Sequence, residues 1–348
     1  MTDLSFEQRA SDLRARHDAY AASQPGQRAR NAAQALGVSE AEWVAAGCGG
    51  ARVTALAAKP QTLFRELGTL GEVMALTRNE WCVHERYGRY EDIQAEGAVG
   101  LVLGPDIDLR VFFNCWRTAW AVEHDNLHSL QFFDAEGVAV HKVYRTEASD
   151  AAAWQALIDK FAAAPAWPVP EAIASAAEDS SVADPQALRQ AWLAMTDTHE
   201  FFPLLRKFKV ARQAALAAAG SDLAQTVPAD AAERMLTQAA ETGLSIMCFV
   251  GNRGMIQIHT GTVHALRRTG PWFNVLDPRF NLHLNTDAIA RAWVVNKPTS
   301  DGWVTSLELY AANGDLIVQF FGERKPGKPE LPAWRQLMLG LCEQPLAA

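Results

Sequence analysis

Residues 129–137, SLQFFDAEG, return as SLELYAANG at 306–314. Each copy opens like a strand and ends on a turn, Asp-Ala-Glu-Gly in the first and Asn313-Gly314 in the second, so each predicts one arm of a hairpin. The correspondence extends outward in both directions. An offset of 173 sets Asn79 on Asn252, Gly88 on Gly261, Val102-Leu103 on Val275-Leu276, Pro105 on Pro278, Leu109 on Leu282 and Ala119-Trp120 on Ala292-Trp293. The offset is 177 across the quoted hairpin and reaches 180 where Ala153-Trp154 meets Ala333-Trp334. Growth in small steps is what loop insertions between matched elements produce. A period this long predicts duplicated domains, because solenoid and propeller repeats run about 20 to 50 residues.

Within the first copy, residues 5–47 read as helices. SEAEWVAA is opened by Ser39 with Glu42 three residues on, a capping-box spacing. From about 72 to 146 the chain changes to short runs rich in Val, Phe, Trp and Tyr, broken by Gly, Pro, Asp and Asn, which predict an antiparallel meander. SDAAAWQALIDKFAA closes the half as a helix capped by Ser149 or Asp150. The second copy repeats the order, with helices from about 187 to 243, strands from about 245 to 322 and a closing helix from about 331 to 343. The expected fold is therefore α+β: a tandem duplication of two similar domains, each a large antiparallel β-sheet flanked by helices. The expected boundaries are 1–163, a Pro/Ala/Ser-rich linker at 164–186, and 187–348.

The 348 residues and 49% hydrophobic content suit two domains, and a net charge of −8 offers no basic field for nucleic acid. The five cysteines at 48, 82, 115, 248 and 342 contain no CxxC pair, which points away from a zinc site or a disulfide framework. The N-terminal stretch is charged and no run of about 18 apolar residues occurs, so a cytoplasmic protein that is not membrane-embedded is expected.

Packing explains residues that recur in both copies, so chemistry is sought where the copies differ. Arg110 falls opposite His283, His84 opposite Gln257 and Lys142 opposite Gln319; at an offset of 182, Arg30 meets Arg212 and His17 meets His199. His199 lies in MTDTHEFFPLLRKFKVARQ, where Asp197 and Glu200 have capping-box spacing and Pro203 predicts a break or kink. Phe202 and Arg206 would share one helical face with it. An imidazole flanked by phenyl rings and arginines suits a flat apolar cofactor with anionic edges, haem above all. The residues alone favour a structural or exposed histidine over a ligand. Arg110 alone reads as a strand-edge charge, Lys297 as a turn residue, and His84 and His259 as structural; VHER at 83–86 lacks the second His of a zinc HExxH.

LTRNEWCVHE, DLRVFFNCW, SLQFFDAEG, MTDTHEFFPLLRK, FVGNRGMIQIHTG and NKPTSDGWVTSLEL resemble segments of the HemS/ChuS/HmuS family of bacterial cytoplasmic haem-handling proteins, over nearly the whole chain. The resemblance implies haem (iron protoporphyrin IX) as cofactor, with His199 of the second domain as proximal iron ligand and Arg110 as the distal arginine, and haem between the halves. Arg206, Arg212, Lys297, Gln319 and Arg324 would contribute propionate or pocket contacts. Phe321 stands where relatives carry a tyrosine. The implied function is iron acquisition: receiving imported haem and degrading it by oxygen-dependent ring cleavage with an external electron donor. The alternative is a non-catalytic chaperone delivering haem to a separate haem oxygenase. Implied partners are an inner-membrane haem importer and a reductase or haem oxygenase. Outside the family, a non-haem interaction protein built of tandem sheets is the remaining reading.

Overall fold

The computed structural model describes residues 4–173, 181–325 and 327–348. They form two compact units. The first is built from 4–78, 85–173 and 251–257, and the second from 79–84, 181–250, 258–325 and 327–348. Each unit thus takes in a short segment from the far side of the linker, and the reason is local packing. Cys82 lies in one core with Phe273, Val275 and Phe280, while Met255 lies in another with Val111 and Trp116. Asn79 and Asn252, the first matched pair of the repeat, anchor these segments. The Asn79 amide donates to the carbonyl of Ile317 at 2.7 Å, and that of Asn252 to the carbonyls of Arg78 and Val140, both at 2.9 Å.

In the first unit, strands Arg52–Leu56, Thr118–His124, Leu127–Phe133, Ala139–Ser149 and Gly71–Arg78 lie side by side in that order, all antiparallel. Alternation divides their side chains between two cores. Leu130, Phe132, Ala119, Ala121 and Val143 pack with Leu63 and Phe64 of helix Pro60–Glu66 and with Trp154 and Leu157 of helix Ala151–Phe161. Trp120, Val122 and Phe133 pack on the opposite face with helices Phe6–Ser23, Ala29–Ala35 and Glu40–Ala45. Ser39 and Glu42 form the expected capping box, and Asp150 is the cap of the closing helix, accepting from the amides of Ala152 and Ala153.

The second unit repeats the plan with strands Ala224–Val227, Arg291–Thr299, Gly302–Tyr310, Leu316–Gly322 and Ile246–Gly251. One face carries Val294, Leu307, Leu309, Val318 and Phe320 against helices Ala231–Thr242 and Pro332–Leu339. The other carries Trp293, Val295 and Tyr310 against helices Pro185–Leu193, Phe201–Phe208 and Arg212–Ala218. Two large antiparallel sheets with flanking helices are thus present as expected. The difference lies in Arg52–Leu56 and Ala224–Val227, two short strands outside the expected sheet regions. Ala224–Val227 is four residues long within a stretch read as helical, and its pairing with Ala292–Val295 makes it a strand.

Each unit also holds a three-stranded meander: Ile93–Gln94, Val99–Leu103 and Asp108–Phe112 in the first, Leu266–Thr269, Trp272–Asp277 and Phe280–Asn285 in the second. The start of the linker packs on the first unit, where Trp167 Nε1 donates to Glu42 at 3.3 Å and the Glu171 amide to the Ala135 carbonyl at 2.8 Å. Residues 174–180 of the expected linker lie outside the described residues. Among the described residues, no helix is long and apolar enough to cross a membrane.

Candidate functional site

His199 occupies a single 3-10 turn, Thr198–Glu200, that leads into helix Phe201–Phe208. Pro203 falls in the first turn of that helix, where its missing N–H has no intrahelical partner to lose. The expected break is therefore a change of helix type at Phe201. The capping is also not a closed box. Asp197 caps the His199 amide at 2.8 Å, while the Glu200 carboxylate reaches back one residue further, to the Thr196 amide at 3.2 Å and the Thr196 hydroxyl at 3.0 Å. The Ser300 amide donates to the Thr196 carbonyl at 2.8 Å and ties this turn to the end of strand Arg291–Thr299.

The His199 side chain is 92% exposed, and its Nδ1 lies 2.6 Å from Asp197 Oδ1. That bond fixes the ring and leaves Nε2 facing away from the capping carboxylate, the arrangement by which a second residue orients a metal-ligating imidazole. Hydrogen bonds from the His199 amide and ring hold the Asp197 carboxyl below its usual range, with Arg324 adding to the effect. Phe202, 61% exposed, lies under the Arg206 guanidinium at 5.4 Å, so the expected pair does share a face.

Behind this surface stands a buried charge cluster centred on Glu308, a residue the sequence reading passed over. Arg212 donates to it through Nε at 2.9 Å and Nη2 at 2.6 Å, Lys297 at 3.1 Å, Gln319 at 2.9 Å, Ser306 at 3.0 Å and Tyr310 at 2.6 Å. Burial pushes the Glu308 carboxyl up, and Arg212 and Lys297 outweigh it, holding the group well below the usual carboxylate range. Burial lowers the Lys297 ammonium to about 8 against the pull of Glu308. Two cations on one anion leave the cluster with one net positive charge. Both cations also lie on the ring of Phe201, Arg212 at 4.8 Å and Lys297 at 4.7 Å, two residues from His199. Thus Arg212, Lys297 and Gln319 meet, but around an internal carboxylate. Phe321 packs edge-on against Phe249 at 5.0 Å on the same sheet face, and Arg324 Nη2 lies 3.5 Å from Asp301.

Arg110 belongs to the first unit. It sits in strand Asp108–Phe112, opposite Leu101, and its Nη1 bonds Asp108 and, at 3.1 Å, the Leu109 carbonyl. Burial raises the Asp108 carboxyl, with Arg110 opposing the shift. Period-two alternation puts Val99, Leu101, Leu103, Asp108, Arg110 and Phe112 on one meander face. Val99 is 54% and Leu103 43% exposed. A planar, permanently charged donor on a partly open apolar surface suits a flat ligand whose upper face carries a polar group.

Set beside known proteins, these features have a family. The model of the family described as "Haemin-degrading HemS.ChuX domain" matches twice, over residues 37–161 and 209–341. The chain belongs to this family. The hemin transport protein HmuS of Yersinia pestis is 41% identical over 339 residues, covering 94% of this chain and 96% of HmuS. Among solved structures, apo-PhuS, a heme-binding protein from Pseudomonas aeruginosa, superposes with a TM-score of 0.90 at 46% identity, covering 95% of this chain and 99% of that one. ChuS, described as an E. coli heme oxygenase, gives a TM-score of 0.84 at 35% identity, covering 97% and 99%.

Two signals in the sequence could have revealed what was missed. Asp197 stands two residues before His199, and at the 177-residue offset neutral Gln131 becomes anionic Glu308.

Proposed function

We propose that this member of the family binds one haem through His199 and opens the ring of imported haem to release its iron, with electrons from an external reductant. The observation that carries the reading is the exposed His199, held at Nδ1 by Asp197, beside a cluster with one surplus positive charge. The donor set fits the group: a neutral imidazole for iron, aromatic surface for the macrocycle, and fixed cations for a propionate. Haem would supply the redox-active iron and the oxidisable macrocycle. Asp197 orients the imidazole, Phe202 and Arg206 offer a flat contact, and the Glu308 cluster draws a carboxylate toward Phe201. Arg110 is assigned to the distal side, where its guanidinium donates hydrogen bonds without ever giving up its proton. The pocket roles of Phe321 and Arg324 stand as part of the same proposal. An inner-membrane importer in the cytoplasm's boundary would supply haem.

The test is turnover. Purified protein with stoichiometric haem, a reductant and catalase is followed by absorbance and product mass. Loss of the Soret band with a defined open-chain tetrapyrrole and released iron is expected. A persistent Soret band with haem passing intact to a separate oxygenase would overturn ring opening in favour of a carrier, the activity named for the hemin transport relative.

A further inference from the structure

Glu308 is fully buried and receives six hydrogen bonds, four on Oε1 and two on Oε2. Nothing in the scaffold demands a carboxylate there. In the first unit the matching position is Gln131, and Phe133 takes the place of Tyr310, on the equivalent strand Leu127–Phe133. The anion is therefore specific to the unit that also carries His199. We propose that Glu308 is an internal competitor for the ligand's carboxylate, sharing Arg212 and Lys297 with it so that bound haem can leave.

The charges give the reason. Without Glu308, an arriving propionate would meet two bare cations in a mostly buried setting, where such pairs are strong and dissociation slow. With Glu308 in place, each cation already has a partner. Arg212 spends Nε on Glu308 and Tyr310 and Nη2 on Glu308, and Lys297 bonds Glu308 Oε1. Only one unit of positive charge is left over, enough to attract one carboxylate and too little to hold it as two free cations would. Phe201 transmits the arrangement to the His199 turn, since both cations rest on its ring. Glu308 is a positioning residue in this account, because it touches the ligand's partners and not the ligand. The inference rests on the haem reading above.

The experiment compares release of two probes, haem and haem dimethyl ester, whose esterified edge carries no charge. Each is loaded onto wild type and Glu308→Gln, and transfer to excess apomyoglobin is timed by stopped flow. Glu308→Gln should slow haem release about tenfold while leaving ester release unchanged. Unchanged or faster haem release from a variant with wild-type circular dichroism, or equal slowing of the ester, would overturn the role. Should Glu308→Gln not fold, Tyr310→Phe serves, as it removes a donor from Glu308 and leaves Arg212 Nε to the carboxylate alone. It should speed haem release severalfold and spare the ester; slower or unchanged release would overturn the proposal. Failure of wild type to bind either probe would instead defeat the haem reading itself.

Discussion

The two units share a scaffold and spend their polar residues differently. In the first, the sheet face under the helices carries Lys142, which pairs at 2.5 Å with Glu40, a buried anion supplied by a helix and acted on also by the charges of Arg30 and Arg78. In the second, the corresponding face carries one anion and two cations. The meanders diverge too. Leu101, Arg110 and Phe112 of the first correspond to Asn274, His283 and Asn285 of the second, and there His283 Nδ1 is tied to Asn274 Oδ1 at 2.7 Å. The histidines at matching helical positions part in the same way. His17 is buried in helix Phe6–Ser23 against Trp43, while His199 stands in a one-turn 3-10 segment with its ring in solvent. Duplication supplies two copies of a stable frame, and divergence frees particular positions in each for chemistry.

If that division is right, breaking polar groups of the first unit should cost stability and spare haem retention. The largest effect is expected for Lys142→Met, which removes the cation hydrogen-bonded to buried Glu40 and leaves only the charges of Arg30 and Arg78 acting on it. A loss of about 3 to 5 kcal/mol is expected in urea unfolding, with haem off-rate unchanged in the folded protein. A loss below about 1 kcal/mol would mean that water or another cation replaces the lysine.

Next comes His141, which bonds Thr77 at 2.9 Å and Tyr90 at 2.6 Å in the first unit's core. Burial pushes its imidazole down to about 3 from an ordinary 6.5. The fold therefore favours the neutral ring, and the stability this confers is present above pH 6.5 and drains away as pH falls toward 3. Linkage gives about 2 kcal/mol lost between pH 7 and pH 5. His141→Gln should flatten that part of the stability curve; an unchanged slope would assign acid sensitivity elsewhere.

In the second unit the pattern should invert. Asp197→Ala removes the carboxylate that holds His199 Nδ1 and should weaken haem binding about tenfold or more, as loss of an outer partner of a metal-ligating histidine does. Unfolding should shift by no more than about 1 kcal/mol, the worth of a lost helix cap. A large stability loss with unchanged haem affinity would make Asp197 a structural cap only. The smallest effect belongs to the exposed Phe202–Arg206 stack. Phe202→Ala should speed haem loss about two- to fivefold, in line with about 0.5 to 1 kcal/mol for an exposed cation–π contact, with no change in Tm.

Much of this was legible in the chain. The quoted hairpin pair, its offsets and the Val/Phe/Trp-rich runs predicted two α+β copies, and they are present. Ala224–Val227 was missed because four residues, AQTV, carry too little alternation to outweigh helical neighbours; the pairing with Ala292–Val295 decides it. Glu308 was passed over for a related reason, although the repeat offset marks it. In SLELY an acid between leucines reads as the solvent side of a half-buried strand, and the helix bearing Arg212, folded over that face, turns it into a fully buried carboxylate. His199 and its Phe202–Arg206 neighbours were readable because their relation is local. The partners of Arg212 and Lys297 lie 96 and 11 residues away, where periodicity carries no information.

The most direct test of the account sets the two matching histidines against each other. Ferric haem is titrated into wild type, His199→Ala and His17→Ala, and the Soret position and the rate of haem transfer to apomyoglobin are read for each. The account predicts a shifted Soret band and much faster loss in His199→Ala alone, with His17→Ala indistinguishable from wild type while it remains folded. Wild-type spectra and off-rate in His199→Ala, or the same change produced by His17→Ala, would contradict it.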